Sequence, residues 1–205
     1  STLKSSGVSP VVIVTGKNTK QLANHLSKVD VICLKNEKYA QTDMFYSANI
    51  GLNYIKDKTD RVFFLPADVP LFSRQSLFLM MGYMDCTDCD ILIPSNKGKH
   101  GHPILIKSEI IPNLLSYRGT EGLKGAIDSF SGKKDVIELQ DIGITIDADK
   151  PEDSQLLKKY IKDSVLSHPM TYSISISISR KEQFFDDTVA YRVLRPVVCY
   201  PLQGL

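Results

Sequence analysis

The stretch Arg61–Phe72, RVFFLPADVPLF, decides the fold. It begins with four consecutive apolar residues, Val62–Leu65, and such a short run is typical of a strand buried on both faces in a parallel α/β sheet. Asp68 follows, between Pro66 and Pro70, which stiffen the backbone. Ligands of open α/β sheets bind at the carboxyl ends of strands, and a carboxylate held there suits a divalent cation such as Mg²⁺. The alternative interpretation is that Asp68 only caps the following helix.

Short apolar runs of this kind alternate with helical patterns along most of the chain. Strands are predicted at Val11–Val14, Val31–Leu34, Val62–Leu65, Ile91–Ile93, Ile104–Ile106, Val136–Leu139 and Ile142–Ile146. Helices are predicted between them, including one from about Asp43 to Lys56 and one that Ser73 caps. This alternation predicts an α/β fold with a largely parallel sheet.

The pattern changes after Ser164. Tyr172–Ser179, YSISISIS, alternates with period two, which predicts a half-exposed strand, and Arg180–Leu194 could form an amphipathic helix. The last residues, Arg195–Leu205, contain two prolines and no clear period. We therefore predict a domain over residues 1–163 and a second module over residues 164–205.

Composition narrows the classes of function. The chain has 205 residues and a formal net charge of +2, which gives no reason to expect a nucleic acid or a membrane as partner. Its apolar runs are all shorter than the ~20 residues of a membrane span. Cys86 and Cys89 have zinc-like spacing but lack a second ligand pair nearby, so reduced thiols and a cytoplasmic location are expected.

Two predicted strands end in carboxylates. Asp68 follows one strand, and Asp147 and Asp149 follow another. Asp149 and Glu152 are predicted to form a capping box for the next helix, whereas Asp147 has no predicted capping role. Asp68 and Asp147 could therefore hold Mg²⁺ against the phosphates of a nucleotide.

Six blocks of sequence, in order, resemble a known family. They are PVVIVTG (10–16), NEKYAQTDMFYSANIGL (36–52), PADVPLF (66–72), GHPILI (101–106), GTEGLKGAI (119–127) and ITIDADKPED (144–153). Together they resemble the molybdenum cofactor cytidylyltransferases and their guanylyltransferase relatives. The resemblance implies a Rossmann-like, three-layer α/β/α nucleotidyltransferase fold with a mixed, mostly parallel sheet. It also implies Mg²⁺-dependent transfer of CMP or GMP from CTP or GTP to the terminal phosphate of molybdopterin, with release of pyrophosphate.

The resemblance also implies roles for individual residues. Asp68 and Asp147 match metal-binding and catalytic positions of the family. Further positions match its substrate side: Ser47, Gly101, His102, Pro103 and Asp149. For His102 the alternative is a loop histidine that only packs. Thr42-Asp43-Met44 departs from the Gly-Met of the family, which affects local substrate contacts, and molybdoenzymes that receive the cofactor would be partners.

One family feature has no counterpart. Members open with a strand and a glycine-rich loop that cradles the triphosphate, and no stretch of this chain matches that loop. The strand would be central to the sheet, so we expect an amino-terminally incomplete domain. Residues 172–194 resemble the opening of the winged helix of molybdate-responsive regulators, but the resemblance stops before any recognition helix, so DNA binding is not expected.

Two other functions remain open at this stage. The intact protein could be a molybdate-linked transcriptional regulator with a transferase-like sensor domain. It could also be another nucleotidyltransferase of the same fold, acting on a sugar phosphate or an isoprenoid precursor. Gly101-His102-Pro103 argues against the latter by resemblance only.

Overall fold

The fold is a mixed β-sheet with helices on both faces. The computed structural model describes residues 2–17 and 19–147, together with the backbone of 195–200. The helices are α1 Thr2–Ser5, α2 Thr19–Leu26, α3 Met44–Ile55, α4 Arg74–Cys86, α5 Ile111–Leu115 and α6 Gly122–Ser129. The strands are β1 Val8–Thr15, β2 Ile32–Lys35, β3 Arg61–Pro66, β4 Ile91–Asn96, β5 Lys99–His100, β6 Ile104–Lys107, β7 Lys134–Glu138 and β8 Arg195–Tyr200. Two short 3₁₀ helices span Ser108–Ile110 and Ile142–Thr145, and the second is called the 142–145 helix below.

The strands follow the order β2-β1-β8-β3-β6-β4-β5, and β7 also pairs with β4. Pairing is parallel between β2 and β1, β1 and β8, β8 and β3, and β4 and β7. β6 runs antiparallel to its neighbours β3 and β4. The mixed sheet with helices on both faces confirms the predicted α/β fold class.

The three layers follow from which side chains each strand buries on each face. On one face Phe63 and Leu65 of β3 pack with Leu77 and Met80 of α4. On the other face Val62 and Phe64 pack with α3, α5 and α6. β3 is therefore covered on both sides, as its uninterrupted apolar run predicts.

The predicted starts of the two long helices are confirmed. The side chain of Asp43 accepts a hydrogen bond of 2.8 Å from the backbone N–H of Tyr46, and Ser73 accepts one of 3.1 Å from the N–H of Ser76. Each cap satisfies a backbone donor that the first helical turn leaves without a partner.

The strand predicted at Ile142–Ile146 is wrong, because residues 142–145 form a 3₁₀ helix. The buried carboxylate of Asp141 accepts a hydrogen bond of 3.0 Å from the N–H of Gly143 and turns the chain there. The same carboxylate accepts bonds from the N–H of Ser73 (2.8 Å) and the hydroxyl of Ser76 (2.6 Å). It thereby fixes the 142–145 helix to the start of α4.

The polar stretch Ser95–Pro103 contains a tight hairpin. β4 continues to Asn96 and pairs with β5 through a turn at Lys97 and Gly98. Both turn residues have positive φ, 51° and 76°, as the tight turns that match the twist of paired strands require.

The carboxyl-terminal stretch contributes a strand at the centre of the sheet. β8 pairs with β1 on one side and with β3 on the other. The lack of a clear period in this stretch gave no prediction of a strand. Residues 164–194 and 201–205 of the predicted second module lie outside the described residues, so the module stays a prediction.

Candidate active site

Asp68 lies where β3 ends at the carboxyl edge of the sheet. β3 stops at Pro66, and the N–H of Val69 donates a long hydrogen bond of 3.4 Å to the carbonyl of Pro66. Val69 and Phe72 are buried in the core and anchor the segment on its far side. Asp68 itself is half-buried, and the strand and the two anchors position its backbone at this edge.

Gly101 and His102 pack directly against the 142–145 helix. The N–H of His102 donates to the carbonyl of Ile144 over 2.8 Å, and the N–H of Gly101 donates to the carbonyl of Pro94 over 2.8 Å. A Cβ atom at position 101 would overlap the Ile144 carbonyl, so only glycine permits this approach. The contact places His102 near Asp147, which follows the 142–145 helix rather than a strand.

Burial lowers the pKa of His102 from 6.5 to about 4, although the negative charge of the nearby Asp147 acts in the opposite direction. The imidazole is therefore neutral at pH 7. A neutral ring can donate one hydrogen bond and accept another, but it does not offer a positive charge to a phosphate.

A cavity of about 530 Å³ opens beside these residues. Its walls come from the amino-terminal half of α3, from β3, β4 and β6, from the hairpin and from α6. The lining residues are Met44, Phe45, Ala48, Phe64, Pro66, Ile93, His100, Gly101, His102, Ile104, Glu121, Gly122, Leu123, Lys124, Ile127 and Asp128. Most of this wall is apolar, and the polar groups come from the hairpin and α6.

Ser47 lies in a polar network rather than in the cavity wall. The side-chain amide of Asn36, which is buried, donates to the hydroxyls of Ser47 (3.0 Å) and Thr42 (3.1 Å). The backbone N–H of Asn36 donates to the carbonyl of Thr15 over 2.8 Å. Ser47 is thus tied to the carboxyl ends of β1 and β2.

The structure brings several predicted residues to one region. Gly101 and His102 line the cavity, and Pro103 follows them at the start of β6. Asp68 lies two residues beyond Pro66, which also lines it. Asp149 lies outside the described residues. No group of three or more His, Cys, Asp or Glu side chains within residues 2–17 and 19–147 is arranged to hold a metal ion.

Sequence reasoning missed two contributions to the cavity. The first is the apolar pair Met44 and Phe45 at the start of α3, where Met44 is 55% exposed. The second is polar: Glu121 lies just before α6, and Lys124 and Asp128 lie on it. The one available signal was Gly122, the first residue of α6, which has a φ of +60° and lies close to Phe45.

Comparison with known families identifies the domain. The model of the MobA-like NTP transferase domain matches residues 1–136, about two thirds of the chain. The chain therefore belongs to the MobA-like NTP transferase domain family, and it is a nucleotidyltransferase by that membership. No relative was found among curated protein sequences.

Solved structures with the same fold include several nucleotidyltransferases. A nucleotidyl transferase from Methanothermobacter thermautotrophicus has a TM-score of 0.63 at 16% identity, over 78% of this chain and 77% of the other. A manganese complex of Rv0371c from Mycobacterium tuberculosis has a TM-score of 0.62 at 13% identity, over 77% and 82%. The 4-diphosphocytidyl-2C-methyl-D-erythritol synthase of Anaerococcus prevotii has a TM-score of 0.60 at 11% identity, over 74% and 78%. Separately, none of the helices in the described part of the chain is long and apolar enough to span a membrane.

Substituting Gly101 tests how the hairpin fixes the site. In Gly101→Ala the new methyl group would overlap the Ile144 carbonyl, so the hairpin and the 142–145 helix must separate. We expect a loss of about 1–3 kcal/mol in the free energy of unfolding, measured by urea denaturation. Gly82→Ala is the control, because a methyl group there meets no atom within 4 Å and alanine favours a helix. Equal stability of the two variants would contradict the packing described.

The half-buried His102 predicts a pH dependence of stability. Its pKa is about 4 when folded and near 6.5 when unfolded, so the unfolded chain binds the proton more tightly. The contribution of His102 is complete above pH 6.5 and is lost as the pH falls to 4, up to about 3 kcal/mol. Urea denaturation between pH 7.5 and 4 should show that the free energy of unfolding falls more steeply with decreasing pH in the wild type than in His102→Gln. Parallel curves would show that the pKa of His102 is not depressed.

Proposed function

We propose that the chain transfers CMP or GMP from CTP or GTP to the terminal phosphate of molybdopterin, in a Mg²⁺-dependent reaction that releases pyrophosphate. One observation carries the proposal: a mostly apolar cavity, lined by Phe45, Phe64 and His102, adjoins the strand end that holds Asp68. A nucleotide at the strand ends and an acceptor in the cavity would then be neighbours.

The cavity wall supports a flat heteroaromatic acceptor. A fused pterin ring can lie against the side chains of Phe45, Phe64 and Leu123, which require no hydrogen-bond partner. The neutral His102 and the carboxylates of Glu121 and Asp128 can bind the ring nitrogens. A sugar phosphate would place several hydroxyl groups against apolar walls, where each lost hydrogen bond to water is costly.

Asp68 and Asp147 are the residues that would hold the cation. Two carboxylates with substrate phosphates are a usual ligand set for Mg²⁺, and the acidic donor set fits this ion. When bound, Mg²⁺ would supply charge neutralisation at the phosphates of the nucleotide.

The chain itself contributes positioning to the reaction. An oxygen of the acceptor phosphate attacks the α-phosphorus, a new P–O bond forms, and the bond to pyrophosphate breaks. The rigid end of β3 would fix the metal ligand, and the cavity would align the acceptor phosphate with the α-phosphorus. Molybdoenzymes would receive the product, and a cytoplasmic location is expected for this chemistry.

Another acceptor is the second candidate. One protein with the same fold is a 4-diphosphocytidyl-2C-methyl-D-erythritol synthase. A methylerythritol phosphate is therefore the alternative acceptor to molybdopterin. The apolar wall favours molybdopterin over this polyol, and a transfer assay with both acceptors distinguishes them.

Nucleotide binding is the first test. Thermal denaturation of the purified chain is followed with CTP and with GTP, each with and without Mg²⁺. A ligand at 100 times its Kd should stabilise the fold by about 2.7 kcal/mol, or several degrees in Tm. We expect a Mg²⁺-dependent shift with one of the two nucleotides, which also identifies the base. Cooperative unfolding with no shift for either nucleotide would contradict the proposal.

A further inference from the structure

β7 is an edge strand whose outer side is open in the described part of the chain. It pairs in parallel with β4, and no other described strand pairs with it. The carbonyl of Lys133 accepts from the N–H of Ile91 over 3.2 Å, and the N–H of Leu139 donates to the carbonyl of Ser95 over 2.8 Å. Residues of odd number in this strand therefore direct their backbone groups towards β4.

The residues of even number form the open side. Successive residues of a strand direct N–H and C=O to opposite sides, so those of Lys134, Val136 and Glu138 point away from the sheet. All three residues are exposed, and Val136 is 50% exposed although its side chain is apolar. An edge with such unpaired backbone groups is a template for a further strand.

The order of charges in β7 matches a second copy of the same strand. If two copies run antiparallel with Val136 opposite Val136, Lys134 of each copy lies opposite Glu138 of the other. The outward residues then form hydrogen-bonded pairs, in which two opposite residues exchange both N–H···O bonds. Opposite charges across such a pair stabilise it, whereas a register that sets two lysines or two glutamates opposite each other is destabilised. The charges therefore favour one register about a two-fold axis.

The two charged side chains are already held on their own chain. Nζ of Lys134 donates to two carbonyls at the end of α6, over 3.0 and 2.9 Å. The carboxylate of Glu138 accepts hydrogen bonds from the hydroxyl of Ser95 and the N–H of Lys97. Loss of side-chain freedom is a usual cost of an exposed ion pair, and here little freedom is left to lose.

An apolar side chain adjoins this edge on the face that α4 covers. The hydroxyl of Tyr83 donates to the carboxylate of Asp135 over 3.3 Å, so α4 lies beside β7. Leu79, one helical turn before Tyr83, is 38% exposed. If two sheets join through β7, the α4 helices of the two copies approach each other on one face, where Leu79 can be buried.

We propose that the open edge of β7 is an interface between two copies of this chain, joined by antiparallel pairing of residues 134–138 about a two-fold axis at Val136. The sheet would then continue from one copy into the other. β4 and β6 lie between β7 and β3, so this pairing leaves the carboxyl end of β3 uncovered.

Sedimentation velocity of the full chain tests the interface. The wild type should form a dimer, and a chain that stays monomeric at about 0.1 mM would overturn the proposal. Val136→Pro should weaken dimerisation at least about tenfold, because it removes one outward N–H from each copy and leaves the bonds to β4 intact. Val136→Thr is the matched control, since it keeps the N–H and the preference for a strand, and it should dimerise like the wild type. A dimer that Val136→Pro does not weaken would place the interface elsewhere and overturn the proposal.

Exchange of the charges tests the register. Glu138→Lys gives an edge with two lysines and Lys134→Glu gives one with two glutamates, so each variant alone should lose the dimer. An equimolar mixture should form a mixed dimer, because each lysine then lies opposite a glutamate. Mixing would not restore a dimer that was lost through damage to the fold, and the Tm of each variant checks its folding.

Two results would overturn the register about Val136. One is a dimer that either charge variant forms alone as readily as the wild type. The other is a mixture of two folded variants that do not associate. If a charge variant fails to fold, the comparison of Val136→Pro with Val136→Thr still decides whether β7 is the interface.

Discussion

Replacing Asp68 with alanine should lower the rate of nucleotidyl transfer at least about 100-fold. The proposed role of this carboxylate is to hold the cation on the phosphates, and loss of a metal ligand removes several kcal/mol of transition-state stabilisation. The fold should persist, because Val69 and Phe72 keep the following segment anchored in the core. Pyrophosphate release under saturating Mg²⁺ is the measurement, with Tm as a check on folding.

Asp57→Ala is the matched control for this variant. Asp57 is an exposed carboxylate just beyond the end of α3 and away from the cavity wall. The Asp57→Ala variant should transfer the nucleotide at the wild-type rate. Full turnover by Asp68→Ala, or an equal loss in Asp57→Ala, would show that Asp68 is not a metal ligand in the reaction.

Replacing Asp141 with alanine should have the largest effect on stability among the polar substitutions considered. The Asp141 carboxylate is buried and accepts hydrogen bonds from the N–H of Ser73, the hydroxyl of Ser76 and the N–H of Gly143. Bonds to a charged acceptor are strong, and alanine leaves these donors buried without it. We expect a loss of about 3 kcal/mol or more in the free energy of unfolding, measured by urea denaturation.

Asp57→Ala also serves as the control for Asp141→Ala, because it removes an exposed carboxylate instead of a buried one. Asp57→Ala should stay within about 0.5 kcal/mol of the wild type, as surface substitutions usually do. Asp141→Ala should also weaken catalysis, because the 142–145 helix that it fixes supports both His102 and Asp147. A change below about 1 kcal/mol would mean that the three bonds contribute far less than their geometry indicates.

Much of the fold could be predicted because it depends on local sequence. A few neighbouring residues suffice to predict the strand β3, from its apolar run, and the helix starts at Asp43 and Ser73. The 142–145 helix could not be predicted, since Ile142–Ile146 has the apolar character of a strand. Its geometry depends on the bond between Asp141 and Ser73, which lie far apart in the sequence.

The position of β8 could not be predicted either, because it too depends on residues far apart in the sequence. The pairing of Val197 with Val11 and Phe63 is a property of three distant segments, and no period within residues 195–205 reveals it. Residues 195–200 nevertheless take a central position in the sheet, between β1 and β3.

The candidate site was predicted in part. Asp68 could be placed because it follows a recognisable strand, and Gly101-His102 because the resemblance pointed to it. Phe45 and Lys124 of the cavity wall could not, since their meeting depends on how α3 and α6 pack. The depressed pKa of His102 likewise follows from burial by neighbours that the sequence does not identify.

Direct transfer to a defined acceptor tests the central claim. The chain is incubated with Mg²⁺, CTP or GTP labelled at the α-phosphate, and molybdopterin, 2-C-methylerythritol 4-phosphate or a sugar 1-phosphate. The account predicts labelled nucleotidyl-molybdopterin and pyrophosphate in equal amounts, with little of either from Asp68→Ala. Transfer to one of the other acceptors but not to molybdopterin would contradict the proposed substrate, and no transfer to any of them would contradict the proposed activity.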